Sequence, residues 1–351
     1  MTHLWIRAEQ RPQEERIGIT PEGARALTQA GYRVTIEESP QRALPLRPYL
    51  DAGAEAAPFA SWPTAPEDAI IFGLKELPTD GTPLRHRHIL FGHAFKGQPA
   101  GQVLLARFRA GGGVLYDLEY LTDAQGRRVA AFGYWAGYAG AAVALLAYGA
   151  QARGGLCAPV SRFADKASMQ GAVAQALEGL VPPRALIIGA LGRVGTGAGD
   201  LCRSLGLPLT EWDMAETAHG GPFPEILTHE LFLNCILARP GTPVFVPVEA
   251  ARAPRALRVI GDIACDPDSE FSPIKLYDRV TDWARPVLRV AGQPPLDIMA
   301  IDNLPSLLPI ESSQDFAAQL LPHLMALDRP GEGVWARARA EFERHIKGLA
   351  S

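Results

Sequence analysis

The sequence predicts an α/β fold of two doubly wound, parallel-sheet domains with a cleft between them, and three observations carry that prediction. The chain has 351 residues, which at roughly 150 residues per domain makes two domains. Short apolar runs alternate with segments able to form helices, the pattern of strands buried on both faces of a parallel sheet. A glycine-rich stretch, ALIIGALGRVGTGAG at residues 185–199, joins one such strand to the helix after it, the place where doubly wound sheets bind phosphates.

The first series of strands is read at residues 4–6, 34–36, 69–74, 89–91 and 114–116. Its first helix has clear punctuation: Thr20 caps it, Pro21 suits its first turn and Gly31 ends it. After the break at Gly154 and Gly155 a second series is read at residues 185–188, 209–212, 231–235, 244–246, 257–263 and 297–301. The tail, from about residue 311 to 351, has helical spacing interrupted by Pro322 and Pro330 and no further strand signal. It is expected to fold back onto the first domain. The expected division is therefore 1–132 plus 311–351 as the substrate and catalytic domain, with 133–310 as the nucleotide domain.

Composition narrows the function classes. A hydrophobic share of 47% with 21% charged residues excludes disorder and fibrous repeats. The net charge of -4 and the lack of a basic run argue against nucleic acid as a partner. Residues 129–150 carry no charge, but they are rich in glycine, alanine and tyrosine, so they are expected to be a buried helix and not a membrane span. The start of the chain does not suit a secretory signal, and Cys157, Cys202, Cys235 and Cys265 show no paired spacing. Reduced thiols and a cytoplasmic protein are expected.

Gly189, Gly192 and Gly195 supply the residues without a Cβ that a tight turn and a close-lying pyrophosphate require. Asp213 follows at the end of the next apolar run, at about the 20-residue distance of an acid that binds the adenosine ribose. Because that carboxylate accepts from the ribose hydroxyls and repels a 2′-phosphate, NAD is expected in preference to NADP. Both domains are thus Rossmann-like. Asp302 and Asn303, after the strand at 297–301, are placed to reach the nicotinamide end.

Three strands of the first domain end in ionisable groups. IIFGLKELP presents Lys75 and Glu76, HILFGHAFKG presents His93 and Lys96, and VLYDLEY presents Asp117 and Glu119. Active sites of such sheets gather at strand C-termini. A lysine, with a free pKa of about 10.4, works as a base near neutrality only when burial or a neighbouring cation lowers it toward ~7–8. His86 and His88 lie in a polar stretch before a strand and are expected to be a solvent-exposed pair; no metal site is expected.

These residues, in order, resemble the NAD-dependent, lysine-forming saccharopine dehydrogenases, which share their fold with alanine dehydrogenase and transhydrogenase nucleotide domains. The stretches are RAE at 7–9, GLKE at 73–76, FGHAFK at 91–96, LYDLE at 115–119, GRRVAAFG at 126–133, GALGRVG at 189–195, WD at 212–213, GGPF at 220–223 and IDNLPSLLP at 301–309. They span nearly the whole chain. The resemblance implies Lys75 and His93 as acid-base groups tuned by Glu76 and Glu119, with Arg16, Lys96, Arg127 and Arg128 binding substrate. Its nucleotide set is Gly189, Gly192, Arg193, Val194, Gly195, Asp213, Cys235 and Asp302. Some relatives carry a cysteine where this chain has Val194, able to pair with the counterpart of Cys235, so a thiol-linked effect is not expected here. Implied substrates are saccharopine, L-lysine and 2-oxoglutarate, and the implied state is a monomer with residues 133–148 bridging the domains. Another amino-acid dehydrogenase of this fold, such as alanine dehydrogenase, and a non-catalytic NAD-binding module are the alternatives.

Overall fold

The computed structural model describes residues 1–349. They form two compact units, Met1–Ala131 together with the chain from Pro309 onward, and Phe132–Leu308.

In the first unit, β1 (His3–Ile6) leads to α1 (Pro21–Gln29), β2 (Arg33–Glu37), α2 (Arg47–Asp51), β3 (Glu55–Ala57), β4 (Ile70–Phe72), β5 (Arg87–Leu90), α3 (Pro99–Gly111) and β6 (Val114–Asp117). All six strands are parallel, in the order β3-β2-β1-β4-β5-β6. Thr20 does cap α1, accepting from the Gly23 amide at 3.2 Å, and Gly31 takes a positive φ of 87° just beyond it. The sheet order reverses at β1, whose neighbours are β2 and β4. The chain ends after β1, β4, β5 and β6 consequently lie side by side.

The second unit begins with α4 (Gly133–Ala152) and α5 (Lys166–Leu177), then β7 (Ala185–Ile188), α6 (Arg193–Ser204), β8 (Leu209–Trp212), α7 (Met214–Thr217), β9 (Leu231–Asn234), β10 (Val259–Asp262), β11 (Leu288–Gly292) and β12 (Pro295–Met299). Its sheet runs β11-β12-β10-β9-β7-β8, parallel except for the edge strand β11. The strand read at 297–301 is found as β12, but its antiparallel partner β11 is not read from the sequence. α4 is the buried glycine- and alanine-rich helix, and it lies so close to α6 that a Cβ on Gly137 would run into the Val194 carbonyl. Among the described residues no helix is long and apolar enough to cross a membrane.

The tail forms α8 (Pro309–Leu324) and α9 (Gly333–Lys347), which belong to the first unit. Pro322 does not end α8 but stands in its last turn, two residues before Leu324.

Two sequence expectations are corrected. Residues 244–246 form no strand; Val246 makes one isolated bridge to Ile274. His86 and His88 are not exposed but buried, at 3% and 0% exposure, because β5 turns His88 into the core between the Trp62 and Phe108 rings. Hydrophobicity alone misplaced them: the imidazole body packs as an aromatic edge, and His86 Nε2 meets the Ala65 carbonyl at 3.2 Å.

Candidate active site and nucleotide site

Parallel register assembles the first-unit site. Phe72 of β4 pairs with Ile6 of β1 and with Ile89 of β5, and Leu90 of β5 pairs with Asp117 of β6. The residues just past these positions are therefore neighbours in space: Lys75 and Glu76 after β4, His93 and Lys96 after β5, Glu119 after β6.

Glu119 is the hub. Its Oε1 accepts from Lys96 Nζ at 2.8 Å and lies 3.7 Å from an Arg128 amino group, while Oε2 lies 3.5 Å from His93 Nδ1. The last is an ionic contact and not a fully formed hydrogen bond. Interaction with His93, then with Lys96 and Arg128, outweighs partial burial and brings the Glu119 carboxyl down to about 2. The same contact raises the His93 pKa against the opposing effect of burial, with Asp117 and Glu76 adding to the rise. His93 has φ +47°, a conformation uncommon for a residue with a side chain, and such backbone clusters at active sites. Asp117, fully buried, fixes the turn by accepting from the Glu119 amide at 2.9 Å, and burial pushes its own carboxyl up.

Lys75 is held low. Burial disfavours its ammonium most, and the Arg16 and Arg11 guanidinium groups add to the fall while Glu14 and Glu76 oppose it. Arg16 itself is almost fully buried and bidentate to Glu14, Nε to Oε1 at 2.8 Å and Nη2 to Oε2 at 2.7 Å. Burial works against the Glu14 charge, yet the Arg16 fork keeps that carboxyl below its ordinary value. Glu14 was missed by the sequence reading, since an acid two residues from an arginine in a polar stretch has the appearance of a solvated pair. Glu76 is exposed, 3.7 Å from an Arg11 amino group. Arg127 is not drawn into this cluster: its Nε donates to Asp123 at 2.9 Å and its side chain is largely exposed.

In the second unit β7 lies between β8 and β9, so the glycine turn stands where the strand order reverses, the position at which such sheets bind ligands. Gly189 has φ +88°, and a Cβ on Gly195 would collide with the Gly189 carbonyl oxygen. Gly192 is the N-cap of α6 and brings no side chain to the helix's first turn, so an anion can come close to the backbone there. Asp213 directly follows β8 and reaches back to accept from the Leu191 amide at 2.9 Å, as well as capping α7. A hollow of about 390 Å³ lies beside it, lined in part by Ala190, Leu191, Thr196, Trp212 and Asp213. A cradle from which Cβ atoms are excluded, an open helix start and an acid at the rim fit an adenosine diphosphate moiety. Arg193 is exposed and Val194 half-buried at the start of α6, and Asp302 is exposed after β12. Cys235 is buried directly after β9, and burial pushes its thiol well up, so it is no ready nucleophile.

Among the described residues no cluster of three or more histidine, cysteine or acidic side chains could hold a metal ion.

Residues 5–139 match the family model described as alanine dehydrogenase/PNT, N-terminal domain. Over 99% of both chains the protein is 44% identical to saccharopine dehydrogenase (NAD+, L-lysine-forming) of Schizosaccharomyces pombe. It is 40% identical to the protein of that name from Candida albicans, over 99% of this chain and 97% of that one. Among solved structures, an L-alanine dehydrogenase superposes with TM-score 0.68 at 19% identity, covering 97% of this chain and 94% of the other. A transhydrogenase from Sinorhizobium meliloti gives 0.62 at 18%, covering 94% and 95%. Those two likenesses fix the fold; the near-complete alignments fix the family. The chain belongs to the saccharopine dehydrogenases of the NAD-dependent, L-lysine-forming kind.

Proposed function

We propose that this protein oxidises saccharopine with NAD and water to L-lysine and 2-oxoglutarate, reversibly. The single observation that carries this is identity of 40–44% over essentially the full chain to enzymes of that name. The first unit supplies substrate binding and acid-base chemistry, and the second holds the nucleotide. NAD, when bound, supplies the hydride acceptor.

Lys75, biased toward its neutral form, takes at Nζ the proton of the substrate's secondary amine as that nitrogen becomes an imine. His93, with its pKa raised from the ordinary value, takes a proton from the water whose oxygen bonds to the imine carbon and passes one to the nitrogen. As the C–N bond then breaks and the 2-oxoglutarate carbonyl forms, the hydroxyl proton goes to His93 and Lys75 returns the proton it took to the departing lysine nitrogen. Glu119 stabilises the imidazolium formed between those steps, and Glu76 biases both bases. Saccharopine carries three carboxylates, for which Arg16, Arg128, Lys96 and, from farther out, Arg127 are the cationic partners. Glu14 supports this by holding the Arg16 fork in one orientation. On the nucleotide side, the turn of Gly189, Gly192 and Gly195 and the start of α6 at Arg193 and Val194 take the pyrophosphate, Asp213 takes the adenosine ribose, and Cys235 and Asp302 border the path of the cofactor. On this reading the enzyme is cytoplasmic and a monomer, and light scattering of purified protein measures the second of these.

The test is nicotinamide absorbance with NADH, lysine and 2-oxoglutarate, repeated with NADPH, and with ammonia plus pyruvate. NADH consumption confined to the lysine pair is the expected result. Turnover with ammonia and pyruvate would replace the substrate reading, and NADH binding without turnover would leave only a nucleotide-binding module.

A further inference from the structure

We infer that Arg7 and Glu9 form a clasp that positions Lys75, gripping its backbone on both sides so that its amine is presented in one pose. The inference rests on the reading of Lys75 as an acid-base group. Because β1 and β4 are parallel and in register at Ile6 and Phe72, the stretch after β1 runs alongside the stretch after β4, and the Arg7 amide donates to the Phe72 carbonyl at 2.9 Å.

Beyond that point β4 has ended. On one side the backbone still pairs with the β5 stretch through the Gly73 amide to the Ile89 carbonyl and the Phe91 amide to the Leu74 carbonyl, both at 3.0 Å, and on the other side residues 74 and 75 are held by side chains. Glu9 Oε1 accepts from the Leu74 amide at 2.6 Å and Oε2 from the Lys75 amide at 3.0 Å. Arg7 Nη2 donates to the Lys75 carbonyl, and Nη1 lies 3.5 Å from Glu9 Oε2. Both amides of the Leu74-Lys75 step and the carbonyl that follows are thus held by one buried ion pair, with Arg7 2% and Glu9 7% exposed. Gly73 is part of the fit, since a Cβ there would collide with the Arg7 guanidinium.

The clasp is anchored from behind. Glu37, fully buried, accepts from the Ala8 amide at 2.9 Å, and Gln41 Nε2 donates to the Glu9 carbonyl at 2.9 Å. Burying an ion pair is weak evidence for a stability role, because desolvation offsets much of the attraction. Its spread over three backbone groups of two adjacent residues points instead to geometry. Arg7 and Glu9 hold the peptide that carries Lys75; they are positioning residues and not catalytic ones.

A double-mutant cycle in the full chain separates positioning from scaffolding. kcat, KM and the pH-rate profile are measured for the wild type, Glu9→Gln, Lys75→Met and the double variant, with melting temperature and NADH binding alongside. Glu9→Gln removes one acceptor and the charge while keeping the shape. It is expected to lower kcat by roughly 10- to 100-fold, the cost of misplacing a reacting group by about 1 Å, with NADH binding unchanged. In the Lys75→Met background the same change is expected to cost nothing further. An equal loss in both backgrounds overturns the clasp and leaves the role of Lys75 intact. Full activity of Lys75→Met overturns that role and the clasp with it. If Glu9→Gln does not fold, Arg7→Lys, which keeps the charge but withdraws the fork from the Lys75 carbonyl, enters the same cycle with the same two outcomes.

Discussion

His93 Nδ1 stands 3.5 Å from Glu119 Oε2 at the ends of the adjacent strands β5 and β6, while Lys96 occupies the other carboxylate oxygen at 2.8 Å. One carboxylate therefore serves an imidazole and a lysine side chain at once. Its own charge is kept by both, and the imidazolium is favoured by what remains.

Glu119→Gln is expected to lower the His93 pKa, since the contact that raises it is lost. Ring-proton NMR across pH 5–9 measures the shift, and the limb of the kcat/KM profile set by His93 should move to lower pH with it. An unmoved midpoint would refute the pairing. Stability changes with the opposite sense of pH: the Glu119 carboxyl falls from 4.5 to about 2 on folding. Its contribution, on the order of 3 kcal/mol at most, is present above about pH 4.5 and lost as pH falls through 2. Chemical unfolding of the two proteins should accordingly converge in acid.

Lys75→Met is expected to cost about 10²- to 10⁴-fold in kcat, the usual worth of a positioned acid or base. NADH binding should be untouched, because the glycine turn belongs to the other unit. The variant's pH-rate profile should lose the limb due to a base of depressed pKa, which Lys75 supplies. Steady-state rates and fluorescence titration with NADH decide both points.

Gly195→Ala is expected to weaken NADH binding by roughly 10-fold or more, about 1.4 kcal/mol or above. The new Cβ meets the Gly189 carbonyl and forces the turn open. Asp213→Ala should weaken NADH binding similarly while improving NADPH relative to NADH, since the carboxylate that repels a 2′-phosphate is gone. Titration with both nucleotides measures this; equal loss for both would mean that Asp213 acts only through the Leu191 amide it holds.

His88→Leu is expected to flatten the acid dependence of stability. Neither ring nitrogen of His88 has a hydrogen-bond partner, and burial first, then Arg7, His86 and Arg107, holds its pKa well below 6.5. The unfolded chain binds a proton below pH 6.5 that the folded one does not, so folding stability is lost as pH falls, by up to about 1.4 kcal/mol per pH unit. Urea unfolding at pH 7 and pH 5 should show a smaller difference for the variant, even if the lost ring contacts with Trp62 and Phe108 cost it stability at both. An identical pH slope would count against this account.

The sequence by itself determined the fold class and the identity of the chemistry. Short apolar runs alternating with helical segments are the pattern of strands covered on both faces, and the Thr20-Pro21-Gly31 punctuation and the Gly189-Gly192-Gly195 turn are local rules of backbone geometry that need no knowledge of distant residues. Strand-end position also singled out Lys75, His93 and Glu119 as neighbours, because parallel register carries sequence position into space. Tertiary structure alone decided what surrounds them. Glu14 is a buried partner of Arg16 and Glu9 a brace for the Lys75 peptide, and His88 is a core ring, because β1, β4 and β5 lie side by side. The bridge at Val246 was likewise set by a partner distant in sequence, Ile274, whereas the edge strand β11 pairs with β12 directly after it. Burial and charge pairing are sums over neighbours that no local pattern encodes, and they govern the protonation of Lys75 and His93.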